Sequence, residues 1–176
     1  MRTFISIDMP KNVKDEIRKI QNQLPEFFGK RTELENLHLT LKFFGEIDEK
    51  KLEKIRDKLR EIKYSNFEAE IDSIGVFSEK FIRIVWLHIS GCEELQKIID
   101  EKLKDLSEKE IRFMSHLTIA RVKKIEDKKE FLTKLREIKI PKIKFAVENF
   151  NLKESILRKQ GPVYKVLEKY ALEKYR

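Results

Sequence analysis

His38-Leu-Thr40-Leu and His116-Leu-Thr118-Ile place one four-residue phrase twice in a chain of 176 residues that holds only three histidines. Successive side chains on a strand point to opposite faces, so in each phrase the imidazole and the hydroxyl share a face while the two aliphatic residues bury the other. Imidazole titrates near pH 6.5, so at neutrality one ring can act as base while a second, protonated ring acts as acid. Two such strands brought together would gather an acid, a base and two hydroxyl donors around one point. The substrate that suits this symmetry is a phosphodiester. One histidine would activate water for in-line attack at phosphorus, the other would protonate the departing oxygen, and Thr40 and Thr118 would hydrogen-bond the non-bridging oxygens where charge concentrates.

A single His-x-Thr is weak evidence, because threonine favours strands and a lone histidine is usually a satisfied structural residue. The wider sequence makes it stronger. HLTLKFFGEIDEKKLEKIRDKLREIKY (38–64) and HLTIARVKKIEDKKEFLTKLREIKI (116–140) repeat one another, with an offset of 78 residues at the histidines and 76 at LREIK. Most of the repeated surface has diverged, whereas both histidines and both threonines are kept. RTFISID (2–8) before a helical stretch matches RIVWLHIS (83–90) before another, and FEAEIDSIGVF (67–77) has a looser counterpart in IKFAVENFNL (143–152). The chain therefore reads as one duplicated domain over 1–176, with halves at approximately 1–79 and 80–176. A period this long and repeated only once is no solenoid. The expected fold class is α+β, as a two-lobed protein with pseudo-two-fold symmetry.

Apolar spacing supplies the positioning elements. Val13, Ile17, Ile20 and Leu24 form a helical stripe behind Pro10, and Leu52, Ile55, Leu59 and Ile62 form another behind Asp48 and Glu49. Two further helices are expected over 93–106 and 127–138. The tail carries a Gly161-Pro162 turn signal between candidate strands near 153–158 and 163–172, although Val163, Val166, Leu167 and Tyr170 also fit a helical stripe.

Thirty-nine Lys and Arg against thirty-one Asp and Glu leave a formal charge of +8, which favours an anionic partner. The Lys and Glu enrichment is a weak thermophile signal. Cys92 is the only cysteine, so no disulfide can form within the chain and a reducing, cytoplasmic setting fits. Flanked by glutamates, it lacks the setting of a stabilised thiolate. No apolar run approaches a membrane span, and the start is broken by Asp8 and Pro10 before a signal-like stretch develops. HExxH, CxxC, GxSxG and P-loop patterns are all missing, so no metal and no cofactor is expected. His88 lacks the His-x-Thr context and reads as structural.

On RTFISID, HLTLKFFGE (38–46), SHLTIARVK (115–123) and ESILRKQGPVY (154–164), the chain resembles the 2H phosphoesterase superfamily, and within it the RNA 2′,3′-cyclic phosphodiesterases, also called 2′-5′ RNA ligase-like or LigT/ThpR proteins. The resemblance implies two antiparallel sheets flanked by outer helices around a central cleft, with both HxT strands lining it. It implies hydrolysis of RNA 2′,3′-cyclic phosphate ends to 2′-phosphates; tRNA fragments are one candidate for the RNA, and a monomer is expected. Carried over by motif, His38 would be the proton donor to the leaving 3′-oxygen and His116 the proton acceptor from water, an assignment that near-symmetry alone leaves open. The resemblance also points to Arg121 as a substrate contact. Strict alternation puts Arg121 on the face opposite His116, so the strand must end or bulge before it. By the same alternation Lys42 and Phe44 share the His38 face, as a second phosphate contact and a base-stacking ring. The GPxY pattern favours strands for the tail. The alternatives are 2′-5′ ligation at the same site, a small cyclic-nucleotide phosphodiesterase, and a non-catalytic RNA-binding module.

Overall fold

The computed structural model describes residues 1–174. Its strands are β1 (Arg2–Asp8), β2 (Phe28–Arg31), β3 (His38–Glu46), β4 (Phe67–Val76), β5 (Ile84–Ser90), β6 (His116–Lys124), β7 (Ile143–Val147), β8 (Asn149–Arg158) and β9 (Gly161–Ala171). The helices are α1 (Lys11–Gln21), α2 (Glu49–Arg60), α3 (Glu93–Lys102) and α4 (Lys128–Glu137). The fold is α+β, as expected, and the ambiguous tail forms the β8–β9 hairpin. None of the described helices is long and apolar enough to cross a membrane.

Local chemistry explains the helix boundaries. Asp48 accepts a hydrogen bond from the Lys51 amide at 2.8 Å and Asp127 accepts one from the Glu130 amide at 3.0 Å, so both helices that follow an HxT strand begin at a capping aspartate. Pro10, extended at φ −62°, ψ 157°, precedes α1. Val13, Ile17 and Ile20 of α1, and Leu52, Ile55 and Leu59 of α2, are the buried stripes read from the sequence.

The strands run antiparallel in the order β7-β4-β5-β6-β3-β1-β8-β9, and only one residue pair, Leu39 with Leu117, joins β3 to β6. The nine strands thus form one continuous sheet whose two four-stranded parts are joined through this single pair, with β2 added beside β6. Leu39 and Leu117 are equivalent positions of the sequence repeat. A residue paired with its own repeat marks a local two-fold axis between them, as in an isologous contact. That axis brings the two HxT phrases side by side.

The lobes do not coincide with the sequence halves. One four-stranded part is β3-β1-β8-β9 and the other β6-β5-β4-β7, so β4 of the first half completes the second part while β8 and β9 of the second half complete the first. Helices cross over too, with α1 packing on β6 and β7 and α3 on β3. One continuous hydrophobic core runs through both lobes.

β2 takes up the edge of β6 where β3 diverges, pairing from Ala120 to Lys124. Gly29 permits this approach: its φ is +154°, and a Cβ there would lie 2.2 Å from the Arg121 carbonyl oxygen. This short, exposed strand has no alternating pattern and is not legible in the sequence.

Candidate active site

Both HxT strands carry a bulge just after the threonine. On β3, Ser6 pairs with Thr40 and Ile5 with Lys42, so Leu41 is the extra residue. On β6, Trp86 pairs with Thr118 and Val85 with Ala120, so Ile119 is the extra residue. The Ile119 carbonyl, displaced from the ladder, accepts the Thr32 amide at 2.9 Å and the buried Gln21 amide at 2.9 Å, so the bulge leaves that oxygen satisfied. A one-residue insertion inverts the facing of everything that follows.

The consequences decide three expectations. Arg121 comes onto the His116/Thr118 face and lines the cleft, as the resemblance required. Lys42 is turned away from it. Its side chain is 5% exposed, its ammonium is paired with Asp100, and it donates to the Glu108 carbonyl at 2.7 Å. Lys42 is therefore corrected from phosphate contact to buried structural cation. Phe44 packs, half-buried, against the core and does not line the cleft, while Phe43, 51% exposed, does. The phenylalanine on the cleft wall is therefore Phe43 and not Phe44, five residues after His38 as Arg121 is five after His116.

The cleft holds about 380 Å³ and is lined by both histidines, both HxT threonines, Phe43 and Arg121, with Phe4 and Tyr164 behind His38. Each histidine gives Nδ1 to a main-chain carbonyl two residues earlier: His38 to Asn36 at 2.7 Å, His116 to Met114 at 2.8 Å. A carbonyl can only accept, so Nδ1 carries the proton and Nε2 is left for chemistry in both rings. Each ring also has an aromatic neighbour edge-on, Tyr164 to His38 at 4.9 Å and 81°, and Phe77 to His116 at 4.9 Å and 85°. The two-fold relation thus extends to the groups that orient the imidazoles.

The symmetry breaks in the electrostatics. His38 Nε2 lies 3.1 Å from Thr40 Oγ1. Burial, with smaller contributions from Lys153 and Arg121, lowers the pKa of His38 to about 4, against the opposing effects of its bond to Asn36 and of Asp8. Burial thus favours the neutral form of this ring. Behind it, Asp8 is paired with Lys153 and accepts Asn151 Nδ2 at 3.1 Å. Across β6, His88 stands opposite His116 in register and is held by Asp72 at 2.7 Å.

Positive charge is concentrated at the cleft. Arg2, Lys30, Arg31 and Arg121 line it against one acidic residue, Glu33, which is paired with Lys30 at 2.5 Å. The Arg121 side chain makes no hydrogen bond or ion pair with another described residue. The Arg2 guanidinium lies 4.8 Å from the centroid of the Phe43 ring, a cation–π contact. On one rim, Asn36 Nδ2 donates to the Pro162 carbonyl at 3.2 Å and Lys30 donates to the Gln160 carbonyl at 2.7 Å, tying the β8–β9 turn to the 30–36 segment.

Sequence reasoning missed Phe4, Phe43, Arg2 and Asn36 as cleft residues. It gave Tyr164, at the end of the GPVY phrase, no role. Counting five residues from each histidine would have found Phe43. Among the described residues no group of three or more His, Cys, Asp or Glu is arranged to hold a metal. Cys92 is buried, and burial, with Glu93 adding to it, pushes its thiol pKa up to about 12.

Comparison with known proteins gives one answer at three levels. The family model for LigT-like phosphoesterases matches residues 7–86 and 90–164. The Methanocaldococcus jannaschii RNA 2′,3′-cyclic phosphodiesterase is 37% identical, over 97% of this chain and all of that one. The Thermotoga maritima protein of the same name is 37% identical over 95% of this chain and 93% of its own length. A Thermus thermophilus crystal structure superposes with a TM-score of 0.82 at 26% identity over the whole of both chains. The Escherichia coli LigT structure in its apo form matches with a TM-score of 0.77 at 23% identity, covering 98% of each chain. The resemblance read from the HxT phrases and the terminal GPVY is thereby settled, and the chain belongs to the LigT-like phosphoesterase family.

Proposed function

We propose that this protein hydrolyses the 2′,3′-cyclic phosphate at RNA ends, leaving a 2′-phosphate. The observation that carries the reading is the pair of symmetry-related imidazoles, each with Nδ1 on a carbonyl and Nε2 left for chemistry, in a cleft rich in cations. The relatives named as RNA 2′,3′-cyclic phosphodiesterases support it. Water attacks phosphorus as His116 Nε2 takes its proton, the phosphorus–O3′ bond breaks, and the proton on His38 Nε2 passes to O3′. Thr40, Thr118 and Arg121 hold the non-bridging oxygens as charge builds on them. Phe43 stacks on the terminal base.

His38 must be protonated to act as the acid, whereas burial lowers its pKa to about 4. An anionic phosphodiester placed against it offsets the cost of burying the cation, so substrate binding and proton uptake go together. The single buried cysteine and the RNA substrate suit a cytoplasmic monomer acting on RNA fragments such as those of tRNA. Ligation of the same end follows if a 5′-hydroxyl takes the place of water, giving a 2′-5′ diester as the phosphorus–O3′ bond breaks, and water at its cellular concentration favours hydrolysis.

The test is turnover of a short RNA with a 2′,3′-cyclic end in excess chelator, with His38→Ala and His116→Ala in parallel and the product phosphate located by 31P NMR. A 2′-phosphate made by the parent protein and by neither variant supports the reading. RNA binding without turnover would favour a non-catalytic RNA-binding module.

A further inference from the structure

We propose that the loop joining β4 to β5, residues 77–83, is a landing platform for the single-stranded RNA that leads up to the reacting end. The inference rests on the functional reading above and adds a partner surface outside the cleft. Phe77 and Phe81 supply faces for bases; Lys80, Arg83, Lys123 and Lys128 supply charge for phosphates.

Both phenylalanines are exposed in this loop, Phe77 at 52% and Phe81 at 70%. Phe77 touches His116 edge-on at 4.9 Å, so the platform begins at the candidate reaction centre. Phe81 lies four residues on, within about 14 Å of chain reach, a distance covered by about two to four nucleotides. The Lys128 ammonium stands 5.8 Å from the Phe81 ring centroid. Glu79, the one acidic residue of the loop, is paired with Arg136. Exposed aromatic rings set among cations are what sequence-tolerant binding of single strands requires.

The loop is held in place. Ile82 is 4% exposed, the Phe81 amide donates to Ser78 Oγ at 3.3 Å, and Lys128 Nζ donates to the Lys80 carbonyl at 2.6 Å. Arg83 Nη1 donates to the Lys123 carbonyl at 3.3 Å. A fixed ring loses little conformational freedom when a base stacks on it.

The experiment compares KM and kcat for 2′,3′-cyclic ends on one, two, four and eight nucleotides, in the parent protein, Phe81→Ala and Phe81→Trp. The expected result is a KM that falls with length in the parent and in Phe81→Trp. In Phe81→Ala the octamer KM rises about tenfold, while the values for the cyclic mononucleotide stay as they were. A parent KM independent of length, or a Phe81→Ala effect equal for mononucleotide and octamer, overturns the platform. If no length is turned over, the functional reading fails instead, and the platform is then decided by octamer binding. Weakening by Phe81→Ala but not by Phe81→Trp supports it, and equal affinity of all three proteins overturns it.

Discussion

Replacing Lys42 with methionine separates the two readings of that residue. The ion pair of Lys42 with Asp100 is 5% and 8% exposed on its two sides, and it also engages the loop that leads to β6. Lys42 Nζ donates to the Glu108 carbonyl at 2.7 Å, and Asp100 Oδ2 accepts the Glu110 amide at 2.7 Å. Removing one partner of a buried pair leaves the other charge uncompensated, at a cost of about 3–5 kcal/mol. For a chain of this size that is a fall in Tm of roughly 6–20 °C. Because Lys42 does not line the cleft, KM for a cyclic mononucleotide should stay within about twofold of the parent value. Lys42→Met with Asp100→Leu should recover stability to within about 2 kcal/mol, since a hydrophobic replacement of the whole pair avoids the stranded charge. Urea unfolding and steady-state kinetics on the same preparations give both quantities. Unchanged stability with KM raised tenfold would refute the reasoning and return Lys42 to the phosphate.

Three further outcomes follow from the contacts described. The pKa of His38 is lowered on folding from about 6.5 to about 4, so the unfolded chain binds more protons in that interval and stability falls as pH drops through it, by up to about 3 kcal/mol. His38→Asn should lose this part of the acid sensitivity in urea titrations from pH 7 to 4, and an unchanged slope would contradict the burial account. Because each four-stranded part takes strands from both halves of the repeat, fragments 1–79 and 80–176 should each lack a cooperative melting transition alone and regain one on mixing; independent folding of either would show that the exchange is dispensable. Phe43→Ala should raise the KM of a cyclic mononucleotide about five- to tenfold, whereas Phe44→Ala should lower Tm and leave KM unchanged.

The legible parts of this chain were those fixed by local pattern. Helical stripes and the repeat itself stand in the sequence, and the repeat carries the strongest functional signal because equivalent leucines pair across the two-fold. Alternation served as far as Thr40 and Thr118 and then failed, because Leu41 and Ile119 each add one residue to a strand. No composition marks such a bulge; the Ile119 bulge is held by Thr32 and Gln21, remote in sequence. Lys42 and Phe44 were misplaced for this reason, and Arg121 reached the cleft for the same one. The exchange of strands between lobes is likewise set by tertiary packing, which favours sheets completed by the other half of the chain. The single acidic residue facing four cations at the cleft became visible only once β2 was seen to lie beside β6.

In the proposed mechanism His38 delivers a proton to O3′ while His116 takes one from water. A cyclic end in which sulfur replaces the 3′-oxygen tests it directly, because a thiolate leaves without an acid. The expected result is that His38→Ala cleaves the sulfur-containing end at close to the parent rate while failing on the oxygen one, and His116→Ala fails on both. Rescue of His116→Ala in place of His38→Ala would reverse the two roles, and rescue of neither would contradict acid catalysis by this pair.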